Sequence, residues 1–305
     1  MLSTPILFLV FNRLETTKQV FAQIRKAQPC QLFIGADGAR AGKEGEAEKV
    51  QAVRQYILDN IDWDCEVKTL FREQNLGCGI APYQAITWFF EHVEQGIILE
   101  DDILPDDSFF PFCEELLIKY KDNQQVFQIG GNNFNISLQS PYSYFFTKYV
   151  SIWGWATWRR AWKQYDFEMK LLQPDMQDFF ACLFPEREAI YRHQLFQNFA
   201  HKRGNDIWDY QWFFCNLLHN GLTILPTQNL ISNLGFGEDA THTTNENSPH
   251  YKLKTNALTF PLTHPSYLIR SEYYESKLNK HLREPQKATL LQWIRRKISF
   301  ILKAK

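Results

Sequence analysis

Three adjacent acidic residues at the end of an apolar run are the strongest chemical signal in the sequence. Glu100, Asp101 and Asp102 follow the strand-like stretch 96–99. Neighbouring carboxylates repel one another, so holding them beside a core costs free energy unless a cation or hydrogen-bond donors compensate. Successive side chains of an extended chain point to opposite sides, so a single ion cannot contact all three. The triplet therefore predicts one carboxylate bound to a hard divalent ion and others in contact with hydroxyl groups; the alternative is a solvated acidic turn.

A site built from oxygen ligands favours Mg²⁺ or Mn²⁺ as the cofactor. Both ions leave coordination positions open for phosphate oxygens, whereas Zn²⁺ prefers His or Cys, so a metal-bound diphosphate is the expected ligand. The sequence contains no Walker loop and no Gly-x-Gly-x-x-Gly after its first predicted strand, so ATPases and Rossmann dehydrogenases lack their best signature here. Sugar nucleotidylyltransferases typically carry a Gly-rich, Arg-containing loop at that position, which here holds Phe11, Asn12 and Arg13.

The elements that must position these residues alternate between strands and helices. Predicted strands cover 5–11, 31–36, 66–71, 96–99 and 126–129, and the predicted helices between them cover 15–26, 47–60, 81–94 and 109–121. Such alternation predicts an α/β fold with a mixed, mainly parallel sheet flanked by helices. Ligands bind beyond the carboxyl ends of parallel strands, so Asn12, Arg13, Asp37 and the acidic triplet should converge on one crevice.

Composition excludes several classes of protein. With 33 basic and 34 acidic residues, the net charge of -1 argues against a nucleic-acid-binding protein or another general polyanion binder. The 15% aromatic content fits a deep core, aromatic walls for sugar-like ligands, or both. Scattered cysteines without a Cys-x-x-Cys pair indicate free thiols in a reducing compartment. Because the chain also shows neither a signal-peptide pattern nor a transmembrane run, a cytoplasmic protein is expected.

The stretch 287–305 differs from the rest of the sequence. It contains six basic residues, no acidic residue, and apolar residues at helical spacing. This pattern predicts a basic amphipathic helix, which either makes peripheral contact with the inner face of an anionic membrane or docks on its own domain.

Several motifs, in order along the chain, resemble the nucleotide-sugar half of GT-A glycosyltransferases. They are Pro5-Ile-Leu-Phe-Leu-Val-Phe-Asn-Arg, Phe33-Ile-Gly-Ala-Asp-Gly-Ala-Arg, Arg72-Glu-Gln-Asn-Leu-Gly and Leu99-Glu-Asp-Asp-Ile-Leu-Pro. The likeness continues at 153–158, 208–212 and 233–242, and is closest to N-acetylglucosaminyltransferase I and to bacterial family-2-like glycosyltransferases. The resemblance implies a GT-A-type, Rossmann-like domain over 1–250, with a nucleotide-sugar half at about 1–130 and an acceptor half at about 131–250, followed by a C-terminal extension at 251–305.

By this resemblance the donor is a UDP-sugar and the acidic triplet has three roles. Asp102 would be the direct metal ligand, Asp101 would contact the ribose, and Glu100 would face the donor sugar. The resemblance also implies further contacts to the donor, and each of these residues has a simpler interpretation as a surface arginine, a turn residue or an ordinary loop histidine. These contacts are Asp37 to the uracil, Arg13 and Asn75 near the base or diphosphate, and His242 to phosphate or metal.

The acceptor side of the site is predicted around Asp209, which corresponds to the family's proposed base. It would activate the acceptor hydroxyl in a single displacement that inverts the anomeric centre, and its aromatic neighbours would raise its pKa by desolvation. The alternative is a carboxylate at a helix N-terminus, stabilised by the helix dipole. Because the faces of pyranose rings stack on indole, the expected acceptor wall, which core packing could equally explain, consists of Trp153, Trp155, Trp208 and Trp212.

The sequence therefore predicts a metal-dependent, inverting glycosyltransferase of polysaccharide biosynthesis. Its partners would be a UDP-sugar donor and a saccharide or glycoconjugate acceptor. Two rival functions use the same residues. One is a sugar nucleotidylyltransferase or another metal-dependent phosphotransferase, and the other is a carbohydrate-binding protein without enzymatic activity.

Overall fold

The computed structural model describes residues 1–201, 207–236 and 251–283, which form strands and helices in alternation. In chain order the elements are β1 (Ile6–Val10), α1 (Leu14–Ala27), β2 (Gln31–Ala36), α2 (Glu46–Asp59), β3 (Glu66–Phe71), α3 (Gly77–His92), β4 (Gln95–Glu100), β5 (Ile103–Pro105), α4 (Phe109–Lys119), β6 (Val126–Gly130), β7 (Tyr144–Thr147), β8 (Trp155–Trp158), α5 (Arg159–Trp162), α6 (Gln177–Leu183), α7 (Glu186–His201), α8 (Asp209–Leu218), β9 (Leu222–Pro226), β10 (Ile231–Asn233) and α9 (Glu272–Arg283).

Eight of these strands form one sheet in the order β3-β2-β1-β4-β8-β6-β9-β7. The β1–β2, β1–β4, β2–β3 and β6–β9 pairs are parallel, whereas β8 runs antiparallel between β4 and β6, and β7 is an antiparallel edge strand. The short strands β5 and β10 form a separate antiparallel pair. The predicted α/β fold with a mixed, mainly parallel sheet is confirmed.

Both faces of the sheet are covered, as the sequence of β1 requires. All five of its residues are apolar and buried, and successive side chains point to opposite faces. Phe8 packs in one core cluster with residues of α1 and α4, and Leu7 packs in another with Phe89 of α3. A strand that is apolar at every position is typical of the interior of a parallel sheet.

The register of the sheet brings the ends of four strands to one edge. Leu9 of β1 lies opposite Glu100 of β4, and Val10 lies opposite Ala36 of β2. Ala36 in turn pairs with Phe71 at the end of β3. The loops that follow these strands therefore start side by side, as the sequence predicts.

The described residues 251–283 pack onto the rest of the described chain. Leu258 and Leu262 belong to the main core cluster, and Tyr274 and Leu278 of α9 are buried against β7 and α7 in a third cluster. The predicted basic amphipathic helix at 287–305 lies outside the described residues. Within the described ranges, no helix is long and apolar enough to cross a membrane.

Candidate active site

A cleft of about 1070 Å³ opens where β1, β2, β3 and β4 end. Its volume suits a small organic ligand of nucleotide size. The structure brings five of the predicted donor-site residues to its wall, and these are Arg13, Asp37, Asn75, Glu100 and Asp101. The convergence predicted from the strand ends is thus present in the fold.

The acidic triplet is compensated by hydrogen-bond donors from the segment after β1. Arg13 donates from Nη1 to Asp102 Oδ2 at 2.8 Å and from Nη2 to Asp101 Oδ1. The backbone N–H of Phe11 donates to the other oxygen of Asp101 at 3.2 Å. Asp101 and Asp102 are both buried, so one guanidinium bridges two carboxylates away from bulk water.

Around the acidic triplet, acidic side chains still outnumber the basic side chains that contact them. Burial and the charges of Asp102 and Asp101 raise the pKa of Glu100 to about 8. Burial also raises the pKa of Asp101 to about 6, although Arg13 opposes the shift. Asp101 and Asp102 share one guanidinium, so the pair retains a net negative charge and carboxylate oxygens of the kind that a hard divalent cation takes.

A metal ion there would take only part of its coordination from the protein. Among the described residues, no group of three or more His, Cys, Asp or Glu side chains is arranged to hold an ion. Asp102, the predicted ligand, would share the ion with ligand oxygens and water, as Mg²⁺ sites commonly do. The predicted second ligand, His242, lies outside the described residues.

The residues directly after β10 also contact Asp102, which the sequence interpretation missed. Leu234 donates its backbone N–H to the carbonyl oxygen of Asp102 at 2.8 Å, and Gly235 donates to Asn233 Oδ1 at 2.7 Å. A Cβ atom at position 235 would lie 1.8 Å from Asp102 Oδ2. Only glycine allows this close approach, and the Asn-Leu-Gly pattern was the available signal.

Asp37 and Asn75 contact each other instead of standing apart. The Asp37 carboxylate accepts hydrogen bonds from Asn75 Nδ2 at 2.9 Å and from the backbone N–H groups of Leu76 and Gly77 at 3.0 Å each. Burial raises the pKa of Asp37, although these backbone donors oppose the shift. The pair fixes the start of α3 at the cleft, and the implied contact between Asp37 and a uracil ring stays a prediction.

A second ion pair holds the loop between β2 and α2 along the cleft. Glu46 is buried and accepts hydrogen bonds from Arg40 Nε at 3.0 Å and from Asn12 Nδ2 at 3.0 Å. The Arg40 guanidinium also lies 5.6 Å from the ring centre of Phe11. Hydrogen bonding to Arg40 lowers the pKa of Glu46. The segment that follows β1 is therefore held both by the acidic triplet and by Glu46.

Asp209 is the first residue of α8 and is partly buried. After the nearer acids, its charge also contributes to the raised pKa of Glu100, so the two carboxylates lie within electrostatic range. The hydroxyl of Tyr165 donates to the carbonyl oxygen of the preceding residue, Trp208, at 3.0 Å. Asp209 is therefore within electrostatic range of Glu100 but does not line the cleft, and its role as a base stays a prediction.

Three of the four tryptophans predicted to form the acceptor wall lie in the core. Trp155, Trp208 and Trp212 are 0%, 4% and 0% exposed, and the ring of Trp155 lies 5.8 Å from each of the other two. Trp155 is buried because β8 lies in the middle of the sheet, and Trp212 donates from Nε1 to Gln128 at 2.9 Å. These three indoles cannot stack on a sugar here, so this part of the prediction is wrong.

Trp153 differs from these three. It is partly buried, and its ring lies 5.5 Å from that of Phe134 and 6.1 Å from that of Phe236, the last described residue before position 251. Its predicted contact with an acceptor stays a prediction.

No protein-family model matches the sequence, and no curated protein matches it. The structure is similar to the mannosyltransferase PcManGT from Pyrobaculum calidifontis, solved in complex with GDP-Man and Mn²⁺, with 12% identity, a TM-score of 0.31, and coverage of 51% of this chain and 44% of that one. It is also similar to HddC from Yersinia pseudotuberculosis, with 9% identity, a TM-score of 0.31, and coverage of 52% and 77%. The chain thus matches less than half of the mannosyltransferase. Similarities of this size establish neither a family nor a function.

Proposed function

We propose that the protein is a metal-dependent glycosyltransferase that moves a sugar from a UDP-activated donor to a hydroxyl group of a saccharide or glycoconjugate. The observation that carries this proposal is the acidic triplet at the end of β4: Glu100 and Asp101 line a cleft at the ends of four strands, and Arg13 bridges Asp101 to Asp102 directly behind that wall. A ligand with both anionic and hydroxyl groups matches a cleft of this mixed charge.

The donor would lie across the strand ends. Arg13, Arg40 and Arg72 line the cleft together with Glu100 and Asp101. Guanidinium groups suit the diphosphate, because they donate several hydrogen bonds and keep their charge. Carboxylates suit the hydroxyl groups of ribose and sugar, because they are strong acceptors.

A divalent ion held by Asp102 would stabilise the negative charge that grows on the diphosphate as the glycosidic bond breaks. The residues around Asp102 orient its carboxylate for that task. Arg13 holds one oxygen at 2.8 Å, and the backbone of Leu234 holds the Asp102 carbonyl at 2.8 Å. The first contact orients the carboxylate and the second fixes the backbone that carries it, so Asp102 loses little freedom when it binds a ligand.

The acceptor hydroxyl would give its proton to Asp209. The oxygen of that hydroxyl forms the new bond to the anomeric carbon while the bond to the diphosphate oxygen breaks, so one displacement inverts the centre. An ionised carboxylate is an acceptor and can take the proton as the new bond forms.

Thermal unfolding tests the proposal. UDP with MnCl₂ should raise the melting temperature, because a ligand that binds only the folded state stabilises it. Asp102→Asn should abolish the rise in melting temperature. Asp107→Asn should retain it, because the side chain of Asp107 is 72% exposed and does not line the cleft. No rise with any nucleoside diphosphate and metal would exclude the proposed function.

The product separates the proposal from its two rivals. A transferase releases a free nucleoside diphosphate, a nucleotidylyltransferase releases pyrophosphate, and a carbohydrate-binding protein releases neither. Peripheral membrane contact through 287–305 and a role in polysaccharide biosynthesis belong to the same proposal, and vesicle sedimentation with and without that stretch tests the first of them.

A further inference from the structure

Three exposed apolar side chains lie together beside the edge strand β7. Tyr267, Ile269 and Tyr273 are 50%, 67% and 56% exposed. All three border a groove of about 660 Å³ between the segment 137–142, β7 and the segment 265–273. Single apolar side chains on a surface are ordinary, whereas a group of them marks a contact with another molecule or with a membrane.

The segment that carries these side chains is held along β7. Arg270 forms a parallel bridge with Phe146, and Ser271 donates its backbone N–H to the carbonyl oxygen of Phe146 at 2.8 Å. The ring of Tyr267 lies 5.9 Å from the ring of Tyr142. The apolar side chains therefore project from a segment that is hydrogen-bonded to the sheet, at a fixed position on the surface.

Basic side chains adjoin the apolar ones. Lys277 and Lys280 are exposed and follow Tyr273 at helical spacing, so the three lie on one face of α9. Lys277 Nζ lies 5.3 Å from the ring centre of Tyr273. Arg270 lines the groove, and of the described residues that line it none is acidic. We call this surface the β7 patch and define it by Tyr267, Ile269, Arg270, Tyr273, Lys277 and Lys280.

Nearby acidic residues do not cancel the positive charge of the β7 patch. The segment 265–283 contains two acids, and one of them, Glu275, is buried and accepts a hydrogen bond from Lys148. The other, Glu272, is exposed. Arg270 Nη1 lies 3.9 Å from Glu275, beyond hydrogen-bond distance, and the Arg270 side chain is 33% exposed. Three cations thus face solvent beside one exposed acid.

The charge of the chain is divided unevenly along the sequence. Residues 251–305 contain 12 of the 33 basic residues but 3 of the 34 acidic ones, which gives them a net charge of +9. The remaining 21 basic and 31 acidic residues give 1–250 a net charge of -10. An anionic surface attracts the first part and repels the second, so it turns the β7 patch toward itself.

We propose that the β7 patch docks on the surface of an anionic membrane. Its apolar side chains would enter the headgroup region, where tyrosine is favoured because its ring is apolar and its hydroxyl stays in contact with water. Its lysines would lay their apolar stems along the same region and keep their ammonium groups at the lipid phosphates. The proposal extends the membrane contact proposed for 287–305 to the folded residues, and it does not depend on transferase activity.

Sedimentation of the full-length protein with lipid vesicles tests this proposal. We expect binding to vesicles of phosphatidylcholine with phosphatidylserine and little binding to vesicles of phosphatidylcholine alone. Lys277→Gln/Lys280→Gln should lower the partition coefficient on the anionic vesicles about tenfold, because each basic residue near such a surface contributes to binding. Ile269→Ser should lower it about fivefold, because less apolar surface leaves water.

Each variant has a matched control elsewhere on the surface. Lys43→Gln/Lys163→Gln also removes two exposed lysines, and neither of them belongs to the β7 patch. Leu171→Ser replaces a leucine that is 62% exposed, against 67% for Ile269. Both controls should bind anionic vesicles as the parent protein does. Circular dichroism of every variant separates lost binding from lost folding.

Three proposals can fail separately in these experiments. Equal binding of the parent protein and the folded patch variants, or an equal loss in the controls, would overturn the β7 patch and leave the contact to 287–305. No binding to anionic vesicles, or equal binding to neutral ones, would overturn both membrane proposals. The patch variants should keep the thermal shift with UDP and MnCl₂, because the patch does not line the donor cleft; that shift tests the transferase independently.

Discussion

Replacing Glu275 by alanine tests how firmly the segment 251–283 is joined to the rest of the domain. Glu275 lies on α9, and its side chain is 6% exposed. One carboxylate oxygen accepts hydrogen bonds from Thr147 Oγ1 at 3.0 Å and from the backbone N–H of Lys148 at 2.9 Å. The other accepts a hydrogen bond from Lys148 Nζ at 3.0 Å. A single carboxylate therefore serves two neutral donors and one ammonium group at the end of β7.

The alanine variant leaves all three donors without this acceptor. The Lys148 side chain is 10% exposed, and removing one partner of a buried ion pair costs about 3–5 kcal/mol. The ammonium keeps its hydrogen bond to the carbonyl of Leu183 at 2.8 Å and its place 4.6 Å from the ring centre of Phe184. These remaining contacts limit the loss, so we expect Glu275→Ala to lower the free energy of unfolding by about 4 kcal/mol.

Urea unfolding at pH 7, followed by circular dichroism, measures this loss as a shift of the midpoint at constant slope. Asp62→Ala is the control, because its pair with Arg25 is about half exposed, at 49% and 54%, and an exposed ion pair contributes little to stability. The double variant Lys148→Met/Glu275→Leu should recover most of the stability, because it removes both charges. A loss below about 1 kcal/mol in Glu275→Ala would contradict the assigned burial of the pair.

Three further predictions concern the acidic triplet and its neighbours. Gly235→Ala should abolish the melting shift with UDP and MnCl₂ in a folded protein, because the new Cβ would lie 1.8 Å from Asp102 Oδ2; an unchanged shift would refute the close approach. Arg13→Gln should lower the free energy of unfolding in EDTA by about 3 kcal/mol, since it leaves two buried carboxylates without their cationic partner. Mn²⁺ should restore more stability to this variant than to the parent protein. Equal effects of the metal on the two proteins in calorimetric scans would contradict this prediction. The pKa of Glu100 is raised from 4.5 to about 8, so its contribution to stability is present below pH 4.5 and is lost as the pH rises through 8. Glu100→Gln should therefore gain stability over the parent protein above pH 8 in urea unfolding, and a gain confined to acidic pH would refute the sign.

The parallel half of the sheet and its cleft could be predicted because the signals are local. β1 is apolar at every position, α1 follows within four residues, and the acids stand at the end of β4. In a sheet of parallel strands these ends meet at one edge by topology alone. The residues that line the cleft could thus be chosen before any distance between them was known.

The aromatic residues could not be divided in the same way, because core and ligand wall use the same side chains. Trp155 is buried because β8 pairs with β4 and β6, and its partner on β4 is Ile98, far away in sequence. Asp37 presents the same difficulty, since the donors that hold it belong to residues 75–77 at the start of α3. Long-range pairing decides both cases, and no local pattern contains it.

Helix α3 connects the contacts of Asp37 to the wall of the proposed donor cleft. Its first turn is fixed by Asp37, through Leu76 and Gly77, so the helix is held at the same strand edge as the acidic triplet. Ala81, Pro82 and Ala85 of the same helix line the cleft. A transferase must hold two ligands at a fixed separation, because small errors in position cost much of the rate. A helix that is fixed at its first turn and forms part of the cleft wall removes one source of such errors without a moving part.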